Sequence, residues 1–303
     1  MSRLMVTAIA VGCTFGSFAA QAAHFSFRTL DDPGDPTFNQ LLGINDSGVI
    51  AGYFGSGDAG HPNKGYTIAP PYTNFNNENF PKSAQTQVTG INAGGQTSGF
   101  WANTNLGGGA DNNFGFIKTK KFIQVNDPLA GGTPLINQVL GINSHDNAAG
   151  FYVDANGVSH GYAFQLSSGK FTPVKVPHAS SVAATGINDN NLICGLYTNG
   201  PTTFGFVKPE TGGTAISFRV PHAVVTQLLG INNSGQTVGF YAGKNGITHG
   251  LYYNPGDGQW QAVNDPDGAG GTVVNGLNNK NQLVGFYTDG AGNTHGMIVT
   301  VTP

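Results

Sequence analysis

Two cysteines in 303 residues, Cys13 and Cys194, leave no disulfide framework, since Cys13 falls within an N-terminal leader and Cys194 then stands alone. Charge is equally scarce. Charged residues make up 10% of the chain, and Lys and Arg never cluster beyond Lys118-Thr119-Lys120-Lys121. With a formal net charge of −3, the sequence argues against a nucleic acid as partner. No stretch beyond the N-terminus keeps a 3.6-residue apolar period, so helix is nearly absent. The signatures Gly-x-Ser-x-Gly and His-Glu-x-x-His are missing, as are a phosphate loop and paired cysteines.

What is abundant is glycine, 47 residues, beside a hydrophobic fraction of 39%. That pairing suits tight turns in a packed domain rather than disorder. Much of the glycine belongs to one phrase. Gly-Ile-Asn, once Gly-Leu-Asn, starts at Gly43, Gly90, Gly141, Gly186, Gly230 and Gly276. Subtracting successive positions gives spacings of 47, 51, 45, 44 and 46 residues, the period of a four-stranded propeller blade. Nine residues on, glycine returns at Gly52, Gly99, Gly150, Gly195, Gly239 and Gly285. Five residues after the first glycine stand Gly48, Gly95, Asp146, Asn191, Gly235 and Asn281. Only Gly, Asn and Asp occupy that place, and these residues enter the left-handed backbone region at least cost. Six copies of a short hairpin turn follow.

Strands flank each turn, as in Asn39 to Ile44 and Val49 to Phe54. A third strand begins at Gly65, Gly115, Gly161, Gly205, Gly250 and Gly296, and a fourth is typified by Phe122 to Val125 and Trp260 to Val263. The fold class expected is all-β, a six-bladed β-propeller of four-stranded blades. The run Phe27 to Pro33 resembles Phe122 to Pro128, a fourth strand, whereas the sixth copy ends at Pro303 after its third. The N-terminal segment Phe25 to Leu30 is therefore expected to complete the last blade and close the ring. A parallel β-helix, the rival fold, does not explain why one end of the chain completes the other.

Residues 1–22 read as a signal peptide. Arg3 supplies the positive start, Leu4 to Phe18 an apolar run too short for a membrane span, and Ala20-Gln21-Ala22 a small-x-small cleavage site. Ala10-Val11-Gly12 before Cys13 also admits a lipoprotein site. Residues 23–303 form one domain, exported to the periplasm or secreted, and expected to be a monomer.

Two phrases carry a family resemblance: Gly230-Ile231-Asn232-Asn233-Ser234-Gly235-Gln236-Thr237-Val238-Gly239 and Thr248-His249-Gly250-Leu251. They resemble the extracellular HAF-type repeats of bacterial secreted proteins, I-N-x-x-G-x-V-V-G and then H-A-F. Gly161, Gly250 and Gly296 stand where the motif has Ala. The resemblance spans Phe27 to Val301 and implies an exported propeller without assigning an activity.

One face of such a ring gathers His160, His249 and His295 at third-strand starts, where other copies carry Lys64, Phe114 and Phe204. It also gathers His178 and His222 from Val-Pro-His-Ala connections, and Asp31, Asp32, Asp35, Asp127, Asp265 and Asp267 from Asp-Pro connections. Acids and imidazoles on one rim suit a divalent metal or acid–base chemistry, with His160/His178 and His222/His249 as the local pairings. The plainer reading makes the histidines strand-start hydrogen-bonders and the aspartates, with Asp154 and Asp289, turn formers. Gln40, Gln87, Gln138 and Gln227 stand three residues before the first glycine, on strands that line a propeller channel. Neutral amides there suit a sugar, water or a weakly held ion, or else tie neighbouring blades together. Phe54, Trp101, Tyr152, Tyr197, Tyr241 and Tyr287 recur once per copy, as core packing before stacking platform. No cofactor is implied. The sequence favours a binding or scaffold protein for an extracellular glycan or protein, against a polysaccharide lyase or hydrolase using the same face.

Overall fold

The computed structural model describes residues 23–256 and 258–302; the expected leader over 1–22 lies outside the described residues. Those residues form 24 strands and no helix. After β1 (His24–Thr29) come five antiparallel quartets. The first unit is β2 (Asn39–Ile44), β3 (Ile50–Phe54), β4 (Lys64–Ile68) and β5 (Phe75–Asn77). The second is β6 (Gln85–Ile91), β7 (Thr97–Ala102), β8 (Phe114–Lys118) and β9 (Phe122–Gln124). The third is β10 (Asn137–Ile142), β11 (Asn147–Val153), β12 (Ser159–Gln165) and β13 (Lys170–Val174). The fourth is β14 (Ser181–Ile187), β15 (Leu192–Asn199), β16 (Thr202–Pro209) and β17 (Ile216–Phe218), and the fifth β18 (Val225–Ile231), β19 (Thr237–Ala242), β20 (Thr248–Asn254) and β21 (Gln259–Val263). The last unit has only β22 (Gly271–Leu277), β23 (Gln282–Thr288) and β24 (Thr294–Thr302) of its own. Its fourth strand is β1, antiparallel to β24 from His24 opposite Thr302 to Thr29 opposite Met297.

Each unit meets the next through a small apolar core. Phe116 and Val88 pack against Ala51 between units one and two, and Leu228 and Leu251 against Cys194 between four and five. Leu41 and Tyr66 of the first unit pack with Val284 and Ile298 of the sixth. Single parallel bridges join third strands to the following first strands, as at Thr203 with Val225 and Thr248 with Gly271. Phe38 bridges Thr294 in the same parallel sense, so unit six meets unit one.

The repeated phrase has a distinct physical reason at each position. Its first strand carries a bulge in every unit, between Leu41 and Gly43 in the first and between Val274 and Gly276 in the last. The glycine after the bulge sits against its counterpart in the next unit: a Cβ on Gly141 would lie 2.9 Å from the Gly186 Cα. The turn residue then adopts positive φ in all six copies, from +56° at Asn191 to +77° at Gly48. Between them, the asparagine Oδ1 accepts turn amides, Ser47 N and Val49 N in the case of Asn45. Its Nδ2 donates to the carbonyl of the next unit's asparagine: Asn45 to Asn92, Asn92 to Asn143, Asn143 to Asn188, Asn188 to Asn232 and Asn232 to Asn278.

Candidate functional site

The skipped bulge residues, Leu42, Thr89, Leu140, Thr185, Leu229 and Asn275, line one narrow space of about 80 Å³, one residue from each unit. The polar three bond across to a neighbouring unit. Thr89 Oγ1 donates to the Val139 carbonyl, Thr185 Oγ1 to Leu228 and Asn275 Nδ2 to Leu41. Above this space, units one to three open into a cavity of about 620 Å³. Gln40, Gln87 and Gln138 line it from their first strands, and Phe100 and Trp101 from a second strand. Gln227 is not among its lining residues.

The glutamines are half committed. Gln40 Oε1 accepts from the Tyr53 hydroxyl at 2.8 Å. Gln87 Nε2 donates to Asn63 Oδ1 at 2.8 Å, and Gln138 Nε2 to Asn113 Oδ1 at 2.6 Å, each tie reaching the preceding unit. Gln40 Nε2, Gln87 Oε1 and Gln138 Oε1 have no partner among the described residues. The Trp101 ring is taken up by packing, stacked on Phe80 with centroids 4.5 Å apart and against Phe114 at 4.9 Å.

Two loops between second and third strands, longer than their counterparts in the other units, wall the cavity. Asp111 anchors the one after β7. Burial opposes its charge, yet the Thr104 hydroxyl, the Leu106 and Gly107 amides and Gln85 hold its carboxyl below the usual range. Asn105 clasps the loop of unit one, donating to the Gly57 and Asp58 carbonyls and accepting from Gly60 N. Within that loop, Ser56 Oγ lies 2.9 Å from His61 Nδ1, and His61 Nε2 lies 2.6 Å from Asp35 Oδ2. Ser56 and Asp58 line the cavity. Sequence reading passed over Ser56 and His61 because neither recurs; the cue available was the unusual loop length between Gly55 and Asn63.

The predicted histidines are dispersed. His160, His249 and His295 lie directly across from Tyr152, Tyr241 and Tyr287, their rings 5.1, 5.1 and 5.2 Å apart. Trp101 with Phe114 and Tyr197 with Phe204 fill the same place, so each imidazole serves as one ring of a stack. His160 Nε2 meets Asp154 Oδ2 at 2.9 Å, while His249 Nδ1 lies 3.3 Å from Asn264. His295 joins Asp31 Oδ2 through Nδ1 at 2.8 Å and Asp289 Oδ2 through Nε2 at 3.3 Å. Burial disfavours its charge, but the two carboxylates outweigh that and raise its pKa. His178 and His222 are exposed turn residues at φ +62° and +66°. Neither the His160/His178 nor the His222/His249 pair is hydrogen-bonded.

The aspartates shape turns. Asp127 Oδ1 accepts Leu129 N, and Asp265 Oδ1 accepts Asp267 N. Their own amides donate to Asn137 and Thr272 at the next first strand. Asp154 and Asp289 each receive two loop amides on Oδ1. Asp127, Tyr152 and His160 also line a second cavity of about 480 Å³ at the top of unit three. Among the described residues, no three His, Cys, Asp or Glu side chains are grouped to hold a metal ion. Cys194 is buried, and burial pushes its thiol up to about 12, far from a thiolate nucleophile. No described helix is long and apolar enough to cross a membrane.

No protein-family model matches this sequence. Nor does any curated protein match it. Solved structures do resemble its fold. A mutant of AofleA from Arthrobotrys oligospora superposes with a TM-score of 0.54 at 9% identity, over 94% of this chain and 88% of that one. The fungal lectin of Aleuria aurantia, a six-bladed β-propeller with a fucose recognition mode of its own, gives 0.50 at 11% identity over 88% and 97%. TolB from Acinetobacter baumannii gives 0.52 at 9%, over 84% of this chain and 65% of its own. Likeness at such identities concerns architecture alone: the chain is an all-β protein with the fold of β-propellers.

Proposed function

We propose that this chain is an exported propeller of six four-stranded blades, closed where β1 completes the last blade, that binds a neutral glycan between blades one to three. The count and closure rest on the six inter-unit cores and on the contacts from unit six back to unit one. The leader over 1–22 and the HAF-type repeat support export to the periplasm or the medium, with 23–303 as a single monomeric domain. The observation that carries the binding reading is the set of amide atoms without a partner among the described residues, Gln40 Nε2, Gln87 Oε1 and Gln138 Oε1, in a cavity of about 620 Å³. Sugar hydroxyls both donate and accept, so neutral amides match them without the desolvation cost of a charge. The shared architecture with a fucose-recognising lectin agrees with this ligand class.

A glycan array probed with the full chain tests it. The expected result is retention of a small set of uncharged glycans, weakened in Gln87→Ala and Gln138→Ala variants. A folded protein that retains no neutral glycan on the array defeats the reading.

A further inference from the structure

Ser56, on the wall of that cavity, forms a relay with His61 and Asp35 behind it, and the protonation pattern of the relay follows from its partners. Asp35, 6% exposed, accepts from the Thr37 amide and hydroxyl on Oδ1 at 3.0 and 2.7 Å. Its Oδ2 is buried without a hydrogen bond among the described residues, and lies 2.6 Å from His61 Nε2 in an ion-pair contact. An ionised carboxylate only accepts, so the imidazole proton sits on Nε2. Nδ1 is then a lone pair, and it faces the Ser56 hydroxyl at 2.9 Å and the Ser56 amide at 3.3 Å. A hydroxyl bonded to a basic imidazole that is itself oriented by a buried carboxylate is the arrangement of an activated nucleophile. The two loops that supply it, 31–38 and 55–63, place it in one unit only.

We propose that Ser56 is the nucleophile of an ester hydrolysis, acting on an O-acylated polyol held in the amide-lined cavity. As Ser56 Oγ attacks the ester carbonyl carbon, its proton passes to His61 Nδ1 and a tetrahedral oxyanion forms. Collapse breaks the bond between the carbonyl carbon and the alkoxy oxygen, which takes the proton from His61 and leaves as the free polyol. Water then attacks the acyl-serine, giving His61 a proton that returns to Ser56 Oγ as the carboxylic acid departs. Asp35 is a positioning residue, acting through His61. Asp58 is a competitor: its Oδ2 lies 3.0 Å from Ser56 Oγ, and the hydroxyl has one proton to give. The polyol part of the substrate rests on the binding reading above, whereas the serine chemistry does not.

The test treats the full chain with a fluorophosphonate probe, locates the adduct by peptide mass spectrometry, and follows p-nitrophenyl acetate turnover in parallel. Wild type is expected to carry the adduct on Ser56, and Ser56→Ala to lose both adduct and turnover. His61→Ala should lower the labelling rate about 100-fold or more, the usual contribution of a general base. Asp35→Asn should lower kcat with KM unchanged and Asp35→Glu restore part of it, a pattern that mere support of the loop does not produce. Asp58→Asn should raise the labelling rate, because a neutral amide competes for the Ser56 proton less strongly than a carboxylate does. No adduct on Ser56, labelling undiminished by His61→Ala, or labelling abolished by Asp58→Asn each overturns the proposal. Glycan retention by Ser56→Ala separates the two ideas: retained glycan without any Ser56 adduct sinks only the esterase, and an adduct without glycan sinks only the binding reading.

Discussion

Asn278 Nδ2 donates to the backbone carbonyl of Asn45 at 3.1 Å across a separation of 233 residues. The bond matters because five like it precede it, so the amide relay that starts at Asn45 returns to Asn45. Each asparagine is satisfied on both ends, its Oδ1 by its own turn and its Nδ2 by the next unit, so one side chain sets local conformation and inter-unit spacing together. Replacing Asn232 by Asp keeps the acceptor and removes the donor, leaving the Asn278 carbonyl facing a carboxyl group. The expected loss is about 1–3 kcal/mol, the range for a buried group left unsatisfied. It should be larger at neutral pH than near pH 4, since only the ionised carboxylate repels the carbonyl. Urea denaturation at both pH values measures it, and equal stability to wild type would remove the circle from the account of the fold.

The turn residues offer a backbone test. Gly235 sits at φ +76° with only the Pro255 ring 3.7 Å from where a Cβ would lie, so space does not forbid a side chain and conformation does. Gly235→Val should cost on the order of 1–2 kcal/mol, whereas Asn281→Gly, at φ +58°, should change stability little. A valine variant that melts with wild type would mean that the turn relaxes to another geometry.

Much of this architecture is written in the sequence because it repeats. The Gly/Asn/Asp alternation at turn positions gave six hairpins, and the likeness of Phe27 to Pro33 to a fourth strand gave the β1–β24 pairing that the strand register from His24 to Thr29 bears out. The reach of Asn45 to Asn92 was not legible, because a repeated asparagine looks the same whether it caps a turn or also crosses to a neighbour. The partnership of His295 with Tyr287 needed the strand register, since only pairing sets those two rings opposite. Ser56 and His61 were hidden for the opposite reason. They occur once, in the long loop between β3 and β4, and leave no period to detect.

His295 makes the junction between the chain ends sensitive to pH. It holds Asp31, just after β1, and Asp289, just after β23, while Asp265 adds to the negative field around it. Its pKa is raised in the folded state, so its contribution is fully present below the unfolded value and is lost as pH rises through the folded one. The Asp289 carboxyl, lowered to about 2 by Asn293 and the loop amides, stays ionised throughout that window. His295→Phe keeps the aromatic stack, as Phe114 and Phe204 do in other units, and removes the charge. The melting-temperature gap between wild type and His295→Phe should therefore be widest near pH 5.5 and narrow towards pH 8.5. A gap that does not change with pH would confine His295 to packing.

The ligand site admits a choice between two sets of residues on the molecule. His222 and His249 are not bonded to each other, and His222 is an exposed turn residue with left-handed backbone. Gln138, by contrast, lines the large cavity with Oε1 unpaired while Nε2 is held by Asn113. Removing one neutral hydrogen bond to a ligand costs about 1 kcal/mol, or roughly a fivefold loss of affinity. Gln138→Ala should show about that loss by calorimetry against a glycan selected from the array, with the melting temperature recorded as a control for the lost Asn113 tie. The double variant His222→Ala, His249→Ala should bind as wild type does. The reverse result, binding lost with the histidines and kept without the glutamine, would move the site from the cavity to the His-bearing connections of units four and five.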